Sequence, residues 1–565
     1  MNQTSRRHRR LLHRPAWAVL LGGVAGLLLV SALLVGHQAE ARTAGLRAAS
    51  ADLPVVQVDG GAITGVESTT TPSWSFRGIP FAAPPVGELR WQPPQPVVPW
   101  DDVRACTQYG PICPQITVKI PQFSPPPDAA AQQSEDCLYL NVVTPATTFN
   151  ESLPVMVWIY GGSFINGSGS APLYDGASLS QKGVVVVTFN YRLGPFGFFA
   201  HPALSAESPN GSSGNYGLLD QIAALEWVQR NIAGFGGDPG NVTIFGESAG
   251  ADSVLDLMCS PLTDGPQLFD KAIAESAPSA DSGIVIYSTR PLADGEKMGL
   301  ALSKALGCAD EPDELAALRD VPTAKLLSVG NPQQRLFQTG APYTYQPYVD
   351  GWVLPEDPVS AFAGGDFMHV PLVVGSNADE ANIGRPVVAT MSVNQLKASL
   401  SNVYGPYAGQ LFALFPPPPP PPKVLDAAKL SLLETVTLTV FTAPAQYVAQ
   451  SVAAAGQPAY NYVFTGRPFG AYLGAFHSAE LPYVFGNDYM GFDPTIGTAA
   501  PLSAAMQDYW TSFAITGDPN GAGRAAWPTF SAAAPQTMML APDGLRIEHG
   551  YQADECAVAD QLFVP

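Results

Sequence analysis

The sequence predicts an α/β fold, with a mostly parallel central sheet flanked by helices in a single large domain. Three observations carry this. Short apolar, β-branched runs recur at residues 153–160, 184–190, 242–245, 370–374 and 459–464. Each is too short for a typical helix and is bounded by Gly, Pro or polar residues, the pattern of strands buried on both faces. Between them run helical patterns, clearest over 218–231 (LLDQIAALEWVQRN), where Leu218, Leu219, Ile222, Leu225 and Val228 make one apolar face. Strands alternating with helices imply a mostly parallel sheet. The third observation is size: 565 residues, 46% hydrophobic, can bury a large core, and large α/β enzymes of this length form one unit.

The first 41 residues differ from the rest. Arg6, Arg7, Arg9, Arg10 and Arg14 precede an apolar run over 16–35, followed by Ala39-Glu40-Ala41. This reads as a signal peptide cleaved after Ala41, leaving a domain over 42–565 that is secreted. The apolar run is also long enough to span a bilayer, so an uncleaved membrane anchor is the competing expectation. Without residues 1–41, 23 Lys and Arg stand against 47 Asp and Glu, a net charge of −24 compared with −20 for the whole chain. So acidic a surface repels phosphate backbones and anionic headgroups, which argues against nucleic-acid or membrane-surface partners for the mature domain.

Six cysteines, Cys106, Cys113, Cys137, Cys259, Cys308 and Cys556, are expected to be paired rather than free in an exported protein, and spacing alone does not choose among the connectivities. No C-x-x-C pair or clustered His/Cys set suggests a structural zinc site. The one low-complexity tract, residues 416–422, is all proline and reads as a stiff, extended surface loop.

The chemistry-bearing residues fall at strand ends, where loops of such sheets gather reactive groups. The run 242–245 leads directly into Gly246-Glu247-Ser248-Ala249-Gly250, a G-x-S-x-G turn between strand and helix whose glycines let Ser248 stand on a sharp, strained elbow. A serine hydroxyl needs a base to take its proton and an acid to orient that base. His8, His13 and His37 lie in the leader. His369 precedes its strand, at the wrong end of the sheet, and His201 and His549 lie without a supporting motif, so all three read as structural or surface histidines. His477 follows a strand and a glycine-containing loop late in the chain, which suits the order Ser, acid, His. The acid should lie after the run 370–374, where Asp379 and Glu380 stand side by side and composition does not separate them. Residues 158–164 (WIYGGSF) leave another strand and offer successive backbone N–H groups for an oxyanion.

These residues together resemble the type-B carboxylesterase family, which includes carboxylesterases and cholinesterases. The resemblance covers residues 76–85 (FRGIPFAAPP), 135–142 (EDCLYLNV), 190–194 (NYRLG), 235–239 (FGGDP) leading into the serine motif, 474–486 around His477, and 517–520 (GDPN). It implies an α/β-hydrolase fold with Ser248 as nucleophile, Glu380 rather than Asp379 as acid, His477 as base, and the N–H groups of Gly162, Ser163 and Ala249 as the oxyanion hole. It also implies a Cys113–Cys137 disulfide and a structural Glu135 paired with Arg90. Ser163 and Ser478 depart from the family by replacing glycines, and Ala317 stands where many relatives have a cysteine, leaving Cys308 without its usual partner. Cys106 and Cys556 look like additions.

Cholinesterases bind a quaternary ammonium through a tryptophan before the second cysteine of that disulfide. Here the segment holds only Phe123 as an aromatic, with Pro125, Pro126 and Pro127, so cholinesterase activity is not expected. The expected reaction is hydrolysis of a small-molecule carboxylic ester, with no metal or organic cofactor. A lipase acting on long-chain acylglycerols is the nearer alternative, an amidase or thioesterase would use the same triad, and a non-catalytic adhesion protein on the same fold is the rival from another class.

Overall fold

A computed structural model describes residues 54–68, 71–116, 132–277, 289–330, 343–416 and 426–560. The leader over 1–41, the segment carrying Phe123 and the three prolines, and the proline tract beyond Pro416 lie outside the described residues. Among the described residues, eleven strands form one sheet. In chain order they are β1 (Val66–Glu67), β2 (Trp74–Pro80), β3 (Tyr139–Thr144), β4 (Leu153–Ile159), β5 (Val185–Phe189), β6 (Gly237–Glu247), β7 (Lys271–Glu275), β8 (Leu372–Asn377), β9 (Ala459–Phe464), β10 (Gln536–Leu540) and β11 (Arg546–His549). Across the sheet they run β11-β10-β9-β8-β7-β6-β4-β5-β3-β2-β1.

The pairings from β5 through β4, β6, β7, β8 and β9 to β10 are all parallel. The antiparallel pairings fall at the two sides, where β3, β2 and β1 follow β5 and β11 follows β10. This is the α/β arrangement expected from the sequence, and its physical cause is visible strand by strand. All five residues of β5 and all six of β8 and of β9 are buried, as parallel strands sandwiched between helices must be. The edge strand β11 has no buried residue and presents Arg546, Glu548 and His549, whose charge and polarity blunt an otherwise open edge.

Helix α1 (Tyr216–Asn231) covers the sheet much as the apolar spacing predicts, and its Asp220 holds the chain after β5. Arg192 donates from Nε and Nη2 to the two Asp220 oxygens at 2.8 and 2.7 Å, and the Arg192 backbone N–H adds a third bond at 2.9 Å. Both side chains are buried, so this two-pronged pairing is what allows the charges to sit there. A similar fork joins Arg90 to Glu135, at 2.8 and 2.5 Å, and the remaining guanidinium nitrogen caps the carbonyls of Arg319 and Val321.

Cys113 and Cys137 are disulfide-bonded, with Cα atoms 5.0 Å apart. The expectation that the other cysteines pair is not met: Cys106, Cys259, Cys308 and Cys556 are free and buried. Cys106, Cys259 and Cys308 belong to the main core, Cys259 at the end of the helix after Ser248, and Cys556 lies in a separate small cluster with Leu438, Ala443 and Ala559. There each packs as a small apolar side chain. No helix of the described residues is long and apolar enough to cross a membrane.

Candidate active site

Ser248 stands at the end of β6 as the N-cap of helix α2 (Ala249–Met258), with φ 57° and ψ −129°. A non-glycine residue in that region is strained, and the surrounding glycines show why the chain accepts it. A Cβ on Gly250 would lie 2.0 Å from the carbonyl oxygen of Ile159, and one on Gly246 would lie 2.5 Å from that of Gly250. Only glycine lets α2 press this closely onto β4 and fold back over β6. The elbow is tied to the next strand by the Ser248 N–H, which donates to the Glu275 carbonyl at 3.0 Å.

The loop after β4 lies against this elbow. A Cβ on Gly161 would be 2.8 Å from the Ser248 Cβ and 2.5 Å from the Glu247 carbonyl oxygen. Gly162, Ser163 and Phe164 then take φ values of 115°, 60° and 58°, three consecutive residues with positive φ. The amides of this stretch lie beside the start of α2, whose first N–H groups have no partner within the helix, and backbone donors so gathered are suited to an anion. Ser163 and Ser478, the two positions where serine replaces the family's glycine, both have positive φ, at 60° and 71°. Left-handed backbone costs a non-glycine residue about 1 kcal/mol or more. Ser478 offsets this with a hydrogen bond from its hydroxyl to Glu247 Oε1 at 2.5 Å.

His477 and Glu380 meet across two loops. His477 Nδ1 lies 2.7 Å from Glu380 Oε2, and the other Glu380 oxygen accepts from the Asn377 N–H at 2.7 Å. Glu380 is fully buried, while the His477 side chain is 13% exposed. Asp379, which composition did not separate from Glu380, does something else. Its Oδ2 accepts from the Ala475 N–H at 2.9 Å, and its own N–H donates to the Ala475 carbonyl at 3.0 Å. A Cβ on Gly474, which sits at φ 66°, would strike that carboxylate at 2.2 Å. Asp379 therefore fastens the loop that carries His477, and Glu380 meets the imidazole.

The other ring nitrogen of His477, Nε2, lies 3.3 Å from Glu247 Oε1. Glu480, three residues beyond His477, accepts from the Asn377 side-chain amide and lies 3.4 Å from the Ser276 hydroxyl. Burial alone would lower the imidazole, but the carboxylates of Glu247 and Glu380, the Glu380 hydrogen bond and Glu480 outweigh it and push His477 up to about 9. Burial raises Glu247 even though His477 pulls it down, and it raises Glu480 well above the carboxylate range, assisted by Glu247 and Glu380. In α2, Asp252 is likewise held well above its usual value by burial and by Asp256. Neither of its oxygens has a hydrogen-bond partner.

Sequence reasoning passed over Glu247 and Glu480. Glu247 fills a variable position of the serine motif and Glu480 a helix-start position, so the only signal was their nearness to Ser248 and His477. The histidines read as structural lie elsewhere in their contacts. His201 caps a short helix, accepting from the Ala203 N–H, with Nε2 3.3 Å from Glu314; His369 is exposed and bonds the Gly365 carbonyl; His549 lies on the edge strand.

A strand–elbow–helix serine at the end of a parallel strand, on a sheet of this order, defines an α/β-hydrolase. Within that class the chain belongs to the carboxylesterase family, whose sequence profile matches residues 52–407 and 419–559. It is 39% identical over 499 residues to fumonisin B1 esterase of Sphingopyxis macrogoltabida, covering 86% of each chain. It is 37% identical over 501 residues to para-nitrobenzyl esterase of Bacillus subtilis (strain 168), covering 86% of this chain and 94% of that one. A solved structure of PNB esterase superposes with a TM-score of 0.75 at 35% identity, over 90% of this chain and 99% of the other. The chain is thus a serine hydrolase that cleaves small-molecule carboxylic esters through an acyl-enzyme, as the family does.

Proposed function

We propose that Ser248 is the nucleophile, His477 the general base and acid, and Glu380 the carboxylate that orients it, with Gly162, Ser163 and Ala249 donating their N–H groups to the oxyanion. The observation that carries this reading is the 2.7 Å Glu380–His477 pair, set among the same strand ends as the strained Ser248 elbow. In this mechanism Ser248 Oγ attacks the ester carbonyl as His477 Nε2 takes its proton, and the oxyanion forms against those N–H groups. Collapse expels the alcohol, which receives that proton from His477. Water then attacks the acyl-enzyme with the same imidazole as base, and Ser248 leaves protonated. Each oxyanion donor contributes about 3 kcal/mol to such a transition state.

Export to an oxidising compartment belongs to the same reading, with residues 1–41 as the leader. The charged and apolar halves of that segment support it, as does the Cys113–Cys137 disulfide, a bond that persists outside reducing cytosol.

The test is hydrolysis of p-nitrophenyl acetate, butyrate and palmitate by wild type, Ser248→Ala and His477→Ala, with folding checked by circular dichroism. Losses of at least about a thousandfold in both variants are expected. Faster turnover of the two short esters marks an esterase, and preference for palmitate a lipase. A Ser248→Ala enzyme that keeps its activity overturns the mechanism.

A further inference from the structure

The helix pair that backs the Glu380 loop carries a feature the triad does not use. Helices α3 (Ala427–Thr437) and α4 (Ala443–Ala454) are joined without a break by a π-turn over Leu438–Thr442. Pro444 explains it: inside a regular helix its ring would collide with the carbonyl of Val440, four residues back, and the wider turn relieves this. The extra residue rotates α4 by roughly 100° relative to an uninterrupted helix. Side chains of this stretch then reach the catalytic loops. The Thr437 hydroxyl accepts from the Ala381 N–H at 3.1 Å, and the Thr442 hydroxyl lies 3.2 Å from that of Ser376. Between them Phe441, 9% exposed, sets its ring 5.0 Å from the His477 ring, tilted by 46°. Phe441 packs in one cluster with Ala381, the residue after Glu380.

We propose that Phe441 is a positioning residue for His477: the π-turn holds its ring against the imidazole, fixing the plane in which the ring can turn and favouring the imidazolium formed during turnover. The argument is geometric. Glu380 meets the imidazole at Nδ1 and Glu247 lies 3.3 Å from Nε2, so both carboxylates hold ring nitrogens, and the packed ring of Phe441 adds a contact that neither of them supplies. An aromatic face within about 6 Å of a cation also attracts it, most strongly where water is scarce. The charged and titratable groups around the imidazole come from every side: Glu247 at the end of β6, Glu380 after β8, Glu480 ahead of the helix Leu481–Phe485, and Asp252 in α2. From α3 the one acid, Glu434, is influenced by Asp379 and Arg385, and His477 is not among the groups acting on it. Phe441 is thus an apolar contact within an otherwise acidic surround.

This rests on His477 being the general base, so the experiment separates the two claims. The pH dependence of kcat/KM and the separate values of kcat and KM for p-nitrophenyl butyrate would be measured for wild type, Phe441→Leu, Phe441→Tyr, and a protein carrying pentafluorophenylalanine at 441. The fluorinated ring keeps the shape and reverses the electrostatic sign of the face, so it tests the claim even if Phe441→Leu does not fold. The acid limb should move to lower pH in the Leu and fluorinated proteins, by about half a unit to one unit in the latter. In Phe441→Leu kcat should fall by about tenfold or more with KM little changed, and Phe441→Tyr should restore wild-type behaviour. An unmoved limb in the fluorinated protein overturns the proposal while leaving the triad intact. So does a loss confined to KM and dependent on acyl length, which would make Phe441 only a wall of the substrate cavity. A His477→Ala enzyme that retains activity overturns both.

Discussion

Replacing Glu247 by Gln removes a charge 3.3 Å from His477 Nε2 while leaving an amide oxygen to accept from Ser478. At a common dielectric the pull of a carboxylate falls as the inverse of distance, so Glu247 at 3.3 Å supplies about 45% of what it and Glu380 at 2.7 Å exert together. His477 rises from 6.5 to about 9 against the opposing effect of burial. The Glu380 hydrogen bond and Glu480 take part of that rise, so the Glu247 share is about one pH unit, or about 1.4 kcal/mol. Only the neutral imidazole acts as a base, so kcat/KM falls as pH drops through the His477 pKa. In Glu247→Gln that limb moves down by about one unit, and activity at neutral pH approaches its plateau more closely than in wild type. The stability effect has a definite sign too. A raised imidazole stabilises the fold fully below 6.5, and this contribution is lost as pH rises toward 9, so wild type should weaken more than Glu247→Gln across that window. Kinetics with p-nitrophenyl butyrate over pH, with denaturant melts at each end, measure both. A limb at the same pH in the two enzymes would refute the argument.

Other contacts carry their own expected outcomes. Glu380→Gln should lose about 10⁴-fold in kcat, whereas Asp379→Ala, which only unfastens the Ala475 loop, should lose far less, and the ratio of the two rates decides which carboxylate orients the imidazole. Asp220→Ala leaves Arg192 buried without its partner and should lower unfolding stability by about 3–5 kcal/mol in a urea melt. Replacing Cys113 and Cys137 by Ser opens a link across 24 residues and should cost about 3 kcal/mol. In the wild-type chain a thiol reagent should find no reactive group in the native state and four after denaturation.

Much of this architecture was legible because strands buried on both faces announce themselves as apolar runs. The run 459–464 coincides with β9, and 184–190 overshoots β5 by one residue at each end. Boundaries fared worse where small or polar residues continue a strand. The run 370–374 ends before β8 does, because Gly375, Ser376 and Asn377 stay in the ladder opposite β9, and a Cβ on Gly375 would meet the Tyr462 carbonyl oxygen at 2.4 Å. Gly237 to Asn241 carry no apolar signal, yet they belong to β6, whose start pairs with β4 across an irregular register.

The candidate site divides in the same way. Ser248, His477 and the Asp379-Glu380 pair stand out by residue type and order along the chain. Glu247, Glu480 and Phe441 do not, because what brings them to His477 is the convergence of β6, the loop after β9 and the π-turn, and a linear pattern holds no record of that convergence. The cysteines erred for the opposite reason: compartment suggested pairing, but Cys106, Cys259, Cys308 and Cys556 are free and buried.

The most direct test of the central claim is covalent. A fluorophosphonate incubated with the protein should label one residue per chain, and peptide mass mapping should place it on Ser248, with labelling abolished in Ser248→Ala. Label on any other residue, or undiminished labelling of Ser248→Ala, would contradict the account.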